Sequence, residues 1–233
     1  MKTMVTILTY NERENITSLL NEIMKLKENI KVLVVDDDSP DGTWRIVEDY
    51  SKKNPRIHLL RRTSERGRGL AGIAGFKYAL ENEADYIIEM DGDLSHDPKY
   101  IPEFLKKIED CDVVIGSRLV PGGGEAGRGF LRRLITRLAA IYVRFLLGFK
   151  VTDPTSGYRC YRGEVLEAID IGSLKARDPF LLTEMLFRCY KKNFRIEEIP
   201  ILFQDRKAGT SKIGWKILLA YLFKVLRLRI RGK

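Results

Sequence analysis

Apolar and polar positions change their spacing several times along the chain. Residues 4–9, 31–36, 57–61, 86–91 and 112–117 are short runs rich in Val, Ile, Leu and Tyr, with the length and composition of strands. Between them, residues 13–27, 43–52 and 70–82 place apolar side chains every three or four positions, as helices packed on a sheet require. The alternation is βαβα. Val32-Leu33-Val34-Val35 and Val113-Val114-Ile115 are apolar at every position, which fits strands covered on both faces and predicts a mostly parallel, twisted sheet flanked by helices. Asp41 before Gly42-Thr43 and Asp97 before Pro98 mark helix starts. Past Gly116 the alternation breaks down, and a glycine-rich stretch (Gly122-Gly123-Gly124, Gly127, Gly129) leads into a basic helical segment. The chain reads as one α/β domain with a C-terminal elaboration.

Composition narrows the class. The 233 residues are 44% hydrophobic, which supports a substantial globular core and excludes disordered, collagen-like and disulfide-stapled chains. Three cysteines, Cys111, Cys160 and Cys189, show no CxxC spacing and predict a reduced, cytosolic chain. No signal-peptide pattern opens the sequence, and the longest apolar runs, 134–149 and 213–226, are interrupted by Arg137, Arg144, Lys216 and Lys224, so no membrane span is expected.

Charge changes the picture more. Of the net charge of +9, an equal excess lies in residues 206–233, which hold nine basic groups and no acid. Residues 118–150 carry seven more basic groups against Glu125 alone. The remainder is slightly acidic, so the two basic segments point to anionic ligands or an anionic surface. Within 214–230, Trp215, Leu218, Leu219, Leu222, Val225, Leu226 and Arg229 follow helical spacing, the pattern of an amphipathic helix lying in a headgroup plane.

Candidate chemistry falls at the strand ends, where ligands of such sheets bind. Asp36-Asp37-Asp38 closes the second strand and Asp91-Gly92-Asp93 the fourth. Two carboxylates one residue apart in a turn can converge on Mg²⁺ or Mn²⁺ and leave coordination positions for water and phosphate oxygens. His96 reads as a loop residue packed near that turn, His58 as a strand residue and Cys160 as a small core residue. Gly67-Arg68-Gly69 lacks the rest of a phosphate-loop pattern.

Thr9-Tyr10-Asn11-Glu12, the block from Val34 to Thr43, Met90-Asp91-Gly92-Asp93-Leu94-Ser95-His96 and Gly116-Ser117-Arg118 occur in this order at successive strand ends. Together they resemble the nucleotide-sugar glycosyltransferases of family 2, which have the GT-A fold. Asp153-Pro154-Thr155-Ser156-Gly157-Tyr158-Arg159, Glu198-Ile199-Pro200-Ile201 and Arg206-Lys207-Ala208-Gly209-Thr210-Ser211-Lys212 are similar to the dolichol-phosphate mannose synthase branch. The resemblance implies a GT-A catalytic domain over residues 1–212, with residues 213–233 as a basic amphipathic helix at the membrane interface. It implies transfer of mannose from GDP-mannose to dolichyl or polyprenyl phosphate, with UDP-glucose or another sugar nucleotide as the alternative donor. Thr9, Tyr10, Glu12, Val35 and Asp37 would line the nucleotide pocket. Asp91 and Asp93 would hold Mg²⁺ or Mn²⁺, with Ser95 at the place where the branch often carries glutamine. Leu8 replaces the proline common before Thr-Tyr-Asn-Glu. Arg118, Arg132 and Thr136 would contact the acceptor phosphate, and Arg206 and Lys212 would bridge acceptor and donor phosphates.

An anionic phosphate acceptor is already a nucleophile, so it needs cations to position it and no general base. Direct attack then inverts the anomeric carbon. Expected partners are the donor, the lipid phosphate and an anionic membrane surface, with peripheral attachment on the cytoplasmic side and a separate anchoring protein left open. The rival class suggested by the basic tail is nucleic-acid binding. Acidic strand ends that repel a polyanion, and the absence of a recognised binding module, weigh against it.

Overall fold

A computed structural model describes residues 1–174, 178–205 and 215–231, with only the main chain of 215–218 and 231. β1 (Thr3–Thr9) lies within a seven-stranded sheet, paired in parallel with β2 (Ile30–Asp36) and β4 (Tyr86–Asp91); β2 pairs in parallel with β3 (Ile57–Arg61). α1 (Arg13–Met24), α2 (Thr43–Lys53) and α3 (Arg68–Glu81) make the crossovers. The predicted strands and helices of this half are present, with ends shifted by a few residues.

Side chains sort by strand period. In β1, Val5 and Ile7 enter one core cluster with Leu19, Leu20 and Val34, whereas Met4 and Leu8 enter a second with Leu33, Val35 and Phe76. Both faces are therefore dry, as the uninterrupted apolar runs require. Asp41 caps α2 from one residue further out than a usual cap, because Gly42 takes a left-handed turn (φ 83°) that lets Asp41 Oδ1 accept from the Thr43 N–H at 2.9 Å and hydroxyl at 2.6 Å. Asp97 Oδ1 accepts from the Lys99 N–H at 2.9 Å and caps a 3-10 turn, Pro98–Tyr100, ahead of α4 (Ile101–Lys107).

The second half departs from simple alternation. β5 (Val113–Ser117) does not pair with β4; β7 (Arg159–Arg162) runs antiparallel between them, and β8 (Ile196–Pro200) adds in parallel outside β5. β6 (Gly124–Ala126) and β9 (Leu202–Gln204) form a separate two-stranded ribbon. The chain between β5 and β7 includes α5 (Phe130–Leu147), and α6 (Gly163–Ala168) and α7 (Phe180–Lys191) follow β7. α8 (Trp215–Arg231) is folded onto this half. Its Val225 is fully buried with Val143 and Leu147 of α5 and Leu186 of α7, and Tyr142 Oη donates to the Leu222 carbonyl at 3.1 Å. No helix among the described residues is long and apolar enough to cross a membrane.

Candidate active site

Register brings three strand ends to one crevice. Thr9 stands opposite Asp36 and Leu8 opposite Asp91, so β2, β1 and β4 all open on the same edge. Asp36 is a buried brace there. Its Oδ2 accepts from the hydroxyls of Thr9 and Ser39, both at 2.7 Å, and its Oδ1 from the Ser39 N–H at 2.8 Å. Asp37 turns the other way, pairs with Arg62 and accepts from the Gly67 N–H at 2.8 Å. Tyr10 is 38% exposed, with the Arg66 guanidinium 5.5 Å from its ring centre. Glu12 accepts from Asn15 Nδ2 at 2.8 Å, and its N–H donates to Thr43 Oγ1 at 3.0 Å. Val35 is fully buried behind this group.

Sequence reasoning passed over the arginines of the segment after β3. Arg62 binds Asp37, Arg66 covers Tyr10, and Arg68 reaches Asp91. The available signal was positional: a basic run follows the carboxyl end of β3, and two other strands of the same sheet, β2 and β4, end in carboxylates.

The Asp91 turn is tightly specified. A Cβ on Gly92 would stand 2.8 Å from Thr9 Cγ2, so only glycine lets the turn approach β1 this closely. Leu94 adopts φ 63°, a sparsely populated conformation for a non-glycine residue, in the turn where Asp93 Oδ1 accepts from the Ser95 N–H at 3.1 Å and the Ser95 hydroxyl at 2.5 Å. Ser95 thus orients Asp93. Asp91 Oδ1 accepts from Arg68 Nη2 at 3.0 Å, and the Asp91 N–H donates to His96 Nδ1 at 3.1 Å. Burial pushes the His96 pKa below its ordinary value although Asp91 and Asp93 pull it up. Its imidazole is therefore neutral, with Nδ1 as acceptor and the proton on Nε2, stacked 4.8 Å from the Tyr158 ring.

Among the described residues no group of three His, Cys, Asp or Glu converges on a metal position. Asp91 and Asp93 nonetheless offer two hard carboxylates on one turn. That is the number Mg²⁺ or Mn²⁺ uses when water and diphosphate oxygens complete its shell, so the donor set fits such an ion.

Arg118, Arg132 and Thr136, from the end of β5 and the start of α5, line one cavity of about 270 Å³ together with Thr155, Phe180 and Tyr221. Arg118 lays its fork on Asp153, with Nε 2.7 Å from Oδ2 and Nη2 2.8 Å from Oδ1, and Nη2 also donates to Thr155 Oγ1 at 2.8 Å. Arg132 is half exposed and faces Asp205 Oδ2 at 3.4 Å. The loop 153–158 joins this cavity to the Asp91 turn: Thr155 lines the cavity, and a Cβ on Gly157 would come within 2.9 Å of Arg68 Nη2. Phe203 of β9 makes a second link, edge-on to His96 at 5.7 Å and 5.6 Å from the guanidinium of Arg118. Arg159 holds the loop in place, donating to the carbonyls of Ser156, Leu182 and Pro154 at 2.7–2.8 Å. Arg206 and Lys212 lie outside the described residues.

A sheet with a two-carboxylate turn at its carboxyl edge and an arginine-lined cavity beside it defines a glycosyltransferase of the GT-A class, and the chain belongs to glycosyl transferase family 2, whose sequence model matches residues 4–170. It is 37% identical to the polyprenol monophosphomannose synthase of Mycolicibacterium smegmatis over the whole chain and 88% of that protein. It is 38% identical to the undecaprenyl-phosphate mannosyltransferase of Micrococcus luteus, covering 97% of the chain and 93% of that protein. The dolichol-phosphate mannosyltransferase of Pyrococcus furiosus is 37% identical over 98% of the chain, which spans 64% of that longer protein. Among solved structures, glucosyl-3-phosphoglycerate synthase from Mycobacterium tuberculosis, in complex with Mn²⁺, UDP and glucosyl-3-phosphoglycerate, shares the fold with a TM-score of 0.68 at 17% identity, over 99% of this chain and 79% of that one.

Proposed function

We propose that the chain transfers mannose from GDP-mannose to a polyprenyl phosphate, with inversion, at the cytoplasmic face of a membrane. The observation that carries this reading is the convergence of Arg118, Arg132 and Thr136 on one cavity whose wall, the 153–158 loop, also packs against Arg68 beside the Asp91 turn. The names of the three relatives support a lipid phosphate as acceptor and mannose as the sugar.

In this reading Thr9, Tyr10, Glu12, Val35 and Asp37 form the nucleotide side. Asp91 and Asp93 would hold a divalent cation, which would supply charge stabilisation to the departing diphosphate. Arg132 and Thr136 orient the acceptor phosphate, and Arg118, fixed by Asp153, contributes positive charge and the shape of the cavity floor. A phosphate oxygen forms its bond to the anomeric carbon while the bond from that carbon to the diphosphate breaks, and the electron pair leaves with the nucleoside diphosphate. No proton has to be removed, so no general base is required. Arg206 and Lys212 are assigned to the phosphates by the family resemblance alone.

Membrane docking is supported by the two packed helices α5 and α8. Both leave large apolar side chains in solvent, among them Leu138, Ile141 and Phe145 on α5 and Leu219, Phe223 and Ile230 on α8. Neither helix contains an acidic residue; α5 carries four arginines, and α8 carries both Lys and Arg. That combination suits an anionic bilayer that also presents the lipid acceptor next to Thr136.

The test is a transfer assay with Mg²⁺ or Mn²⁺, labelled GDP-mannose or UDP-glucose, and a polyprenyl phosphate, following label into the organic phase. Transfer from GDP-mannose is expected. Transfer from UDP-glucose alone would replace the donor, and no transfer from any sugar nucleotide would overturn the reading.

A further inference from the structure

Glu89 sits in the middle of β4, two residues before Asp91, and is fully buried. Neither of its carboxylate oxygens has a hydrogen-bond partner. An apolar residue would fill this position at less cost, because a buried carboxylate without hydrogen bonds carries a large desolvation penalty. Its one ion partner among the described residues is Arg68, whose Nη1 lies 3.2 Å from Glu89 Oε1 in a geometry too poor for a hydrogen bond. The neighbouring buried cation, Arg159, is committed to three carbonyl oxygens.

Arg68 is therefore shared. Its Nη2 makes a well-formed bond to Asp91 Oδ1 at 3.0 Å, while Nη1 rests loosely against Glu89. The guanidinium is also confined, since the main chain at Gly157 leaves no room for a Cβ beside Nη2. Small shifts of this group are thus between two carboxylates, one in the donor turn and one buried behind it.

We propose that Arg68 is a positioning residue that holds the place of the divalent cation at Asp91 while the donor is absent, and that Glu89 takes up its charge when cation and nucleoside diphosphate enter together. The proposal rests on the metal-dependent reading above. A cation entering alone meets the positive charge of Arg68 at its own ligand and binds weakly. The diphosphate adds negative charge that offsets this repulsion, so each of the two strengthens binding of the other. The device keeps the Asp91 turn from being loaded with metal before the donor arrives.

The test is titration of the full chain with Mn²⁺, reading free Mn²⁺ by electron paramagnetic resonance, with and without GDP. Arg68→Met should bind Mn²⁺ alone about tenfold more tightly than wild type, the scale on which one neighbouring charge shifts an ionic equilibrium. Glu89→Gln should bind it more weakly, and the gain in affinity conferred by GDP should shrink in Arg68→Met. Arg68→Lys should stay near wild type. Opposite signs for the two variants cannot come from general damage to the fold, which would weaken both; Arg68→Gln replaces Arg68→Met if the latter fails to fold. Mn²⁺ binding with equal affinity in wild type and Arg68→Met overturns this inference alone. An unchanged Glu89→Gln removes Glu89 from the device. Absence of Mn²⁺ binding by wild type with GDP overturns the metal reading and this inference together.

Discussion

Asp153 receives both arms of the Arg118 fork, at 2.7 and 2.8 Å, and also accepts from the Arg118 N–H at 3.1 Å. The carboxylate is fully buried and the arginine nearly so. Asp153 is itself held by Glu198, whose Oε1 accepts from its N–H at 2.9 Å. The pair therefore ties the end of β5 to the loop that separates the cavity from the Asp91 turn.

Removing one member of this pair strands the other. Asp153→Asn should lower stability by about 3–5 kcal/mol, the range for breaking a buried ion pair from one side. The pH dependence follows from the sign of the shift. Burial raises the Asp153 pKa, but the bonds from Arg118 outweigh it and leave the folded value below the ordinary 3.8. The stabilisation is complete above pH 3.8 and is lost as pH falls through the lower folded value. Melting curves of wild type from about pH 5 down to about pH 2 should show this acid limb, and Asp153→Asn should flatten it.

Asp91→Ala and Asp93→Ala should each abolish transfer with the fold retained, because either change removes a carboxylate assigned to a cation that stabilises the leaving diphosphate by several kcal/mol. Ser95→Ala should be milder, about ten- to a hundredfold, since the hydroxyl orients Asp93 from behind. Initial rates with circular dichroism on each variant check this. Near-normal transfer by Asp91→Ala, or full activity after exhaustive chelation, would remove the metal from the mechanism.

A polyprenyl phosphate should be glycosylated and the corresponding free polyprenol should not, because an alcohol must lose a proton and the cavity has no group assigned to accept it. Arg132→Lys keeps the charge but loses the planar fork, so it should reduce turnover with the lipid phosphate about tenfold while leaving GDP binding unchanged. Efficient transfer to the free alcohol would redirect attention to Asp178, the carboxylate that lines the same cavity.

Deleting α8 is a poor test of membrane docking, because Val225 is part of a core cluster and its loss would uncover Val143 and Leu147. Exposed positions are better. Phe145→Glu and Phe223→Glu, 88% and 65% exposed, should weaken cosedimentation with anionic vesicles while leaving the melting temperature within a few degrees. Binding by wild type should fall as salt rises. Equal vesicle binding by wild type and the double variant would separate these helices from membrane attachment.

What could be read from the sequence was local. Four strands and three helices of the parallel half, and β5 beyond it, follow from apolar spacing, because both faces of these strands are covered and each crossover helix buries one stripe. The Asp91 turn, Asp37 and the basic composition of α5 and α8 were legible because short-range order places them directly after a strand or along one helix. The antiparallel insertion of β7 was not: a four-residue run, Arg159–Arg162, carries no sign of which neighbours it will join, and the pairing depends on chain closure more than forty residues away from β5. The same limit hid the arginines. Arg118 reads as an acceptor-binding charge from sequence and Arg62 and Arg68 carry no assignment there, yet tertiary packing seats each against a carboxylate from another segment. Charge pairing in a crevice is set by distances between elements, and those exist only once the sheet has closed; Glu89, an ordinary polar residue in a list of letters, becomes a buried carboxyl group beside Arg68 only in the folded chain.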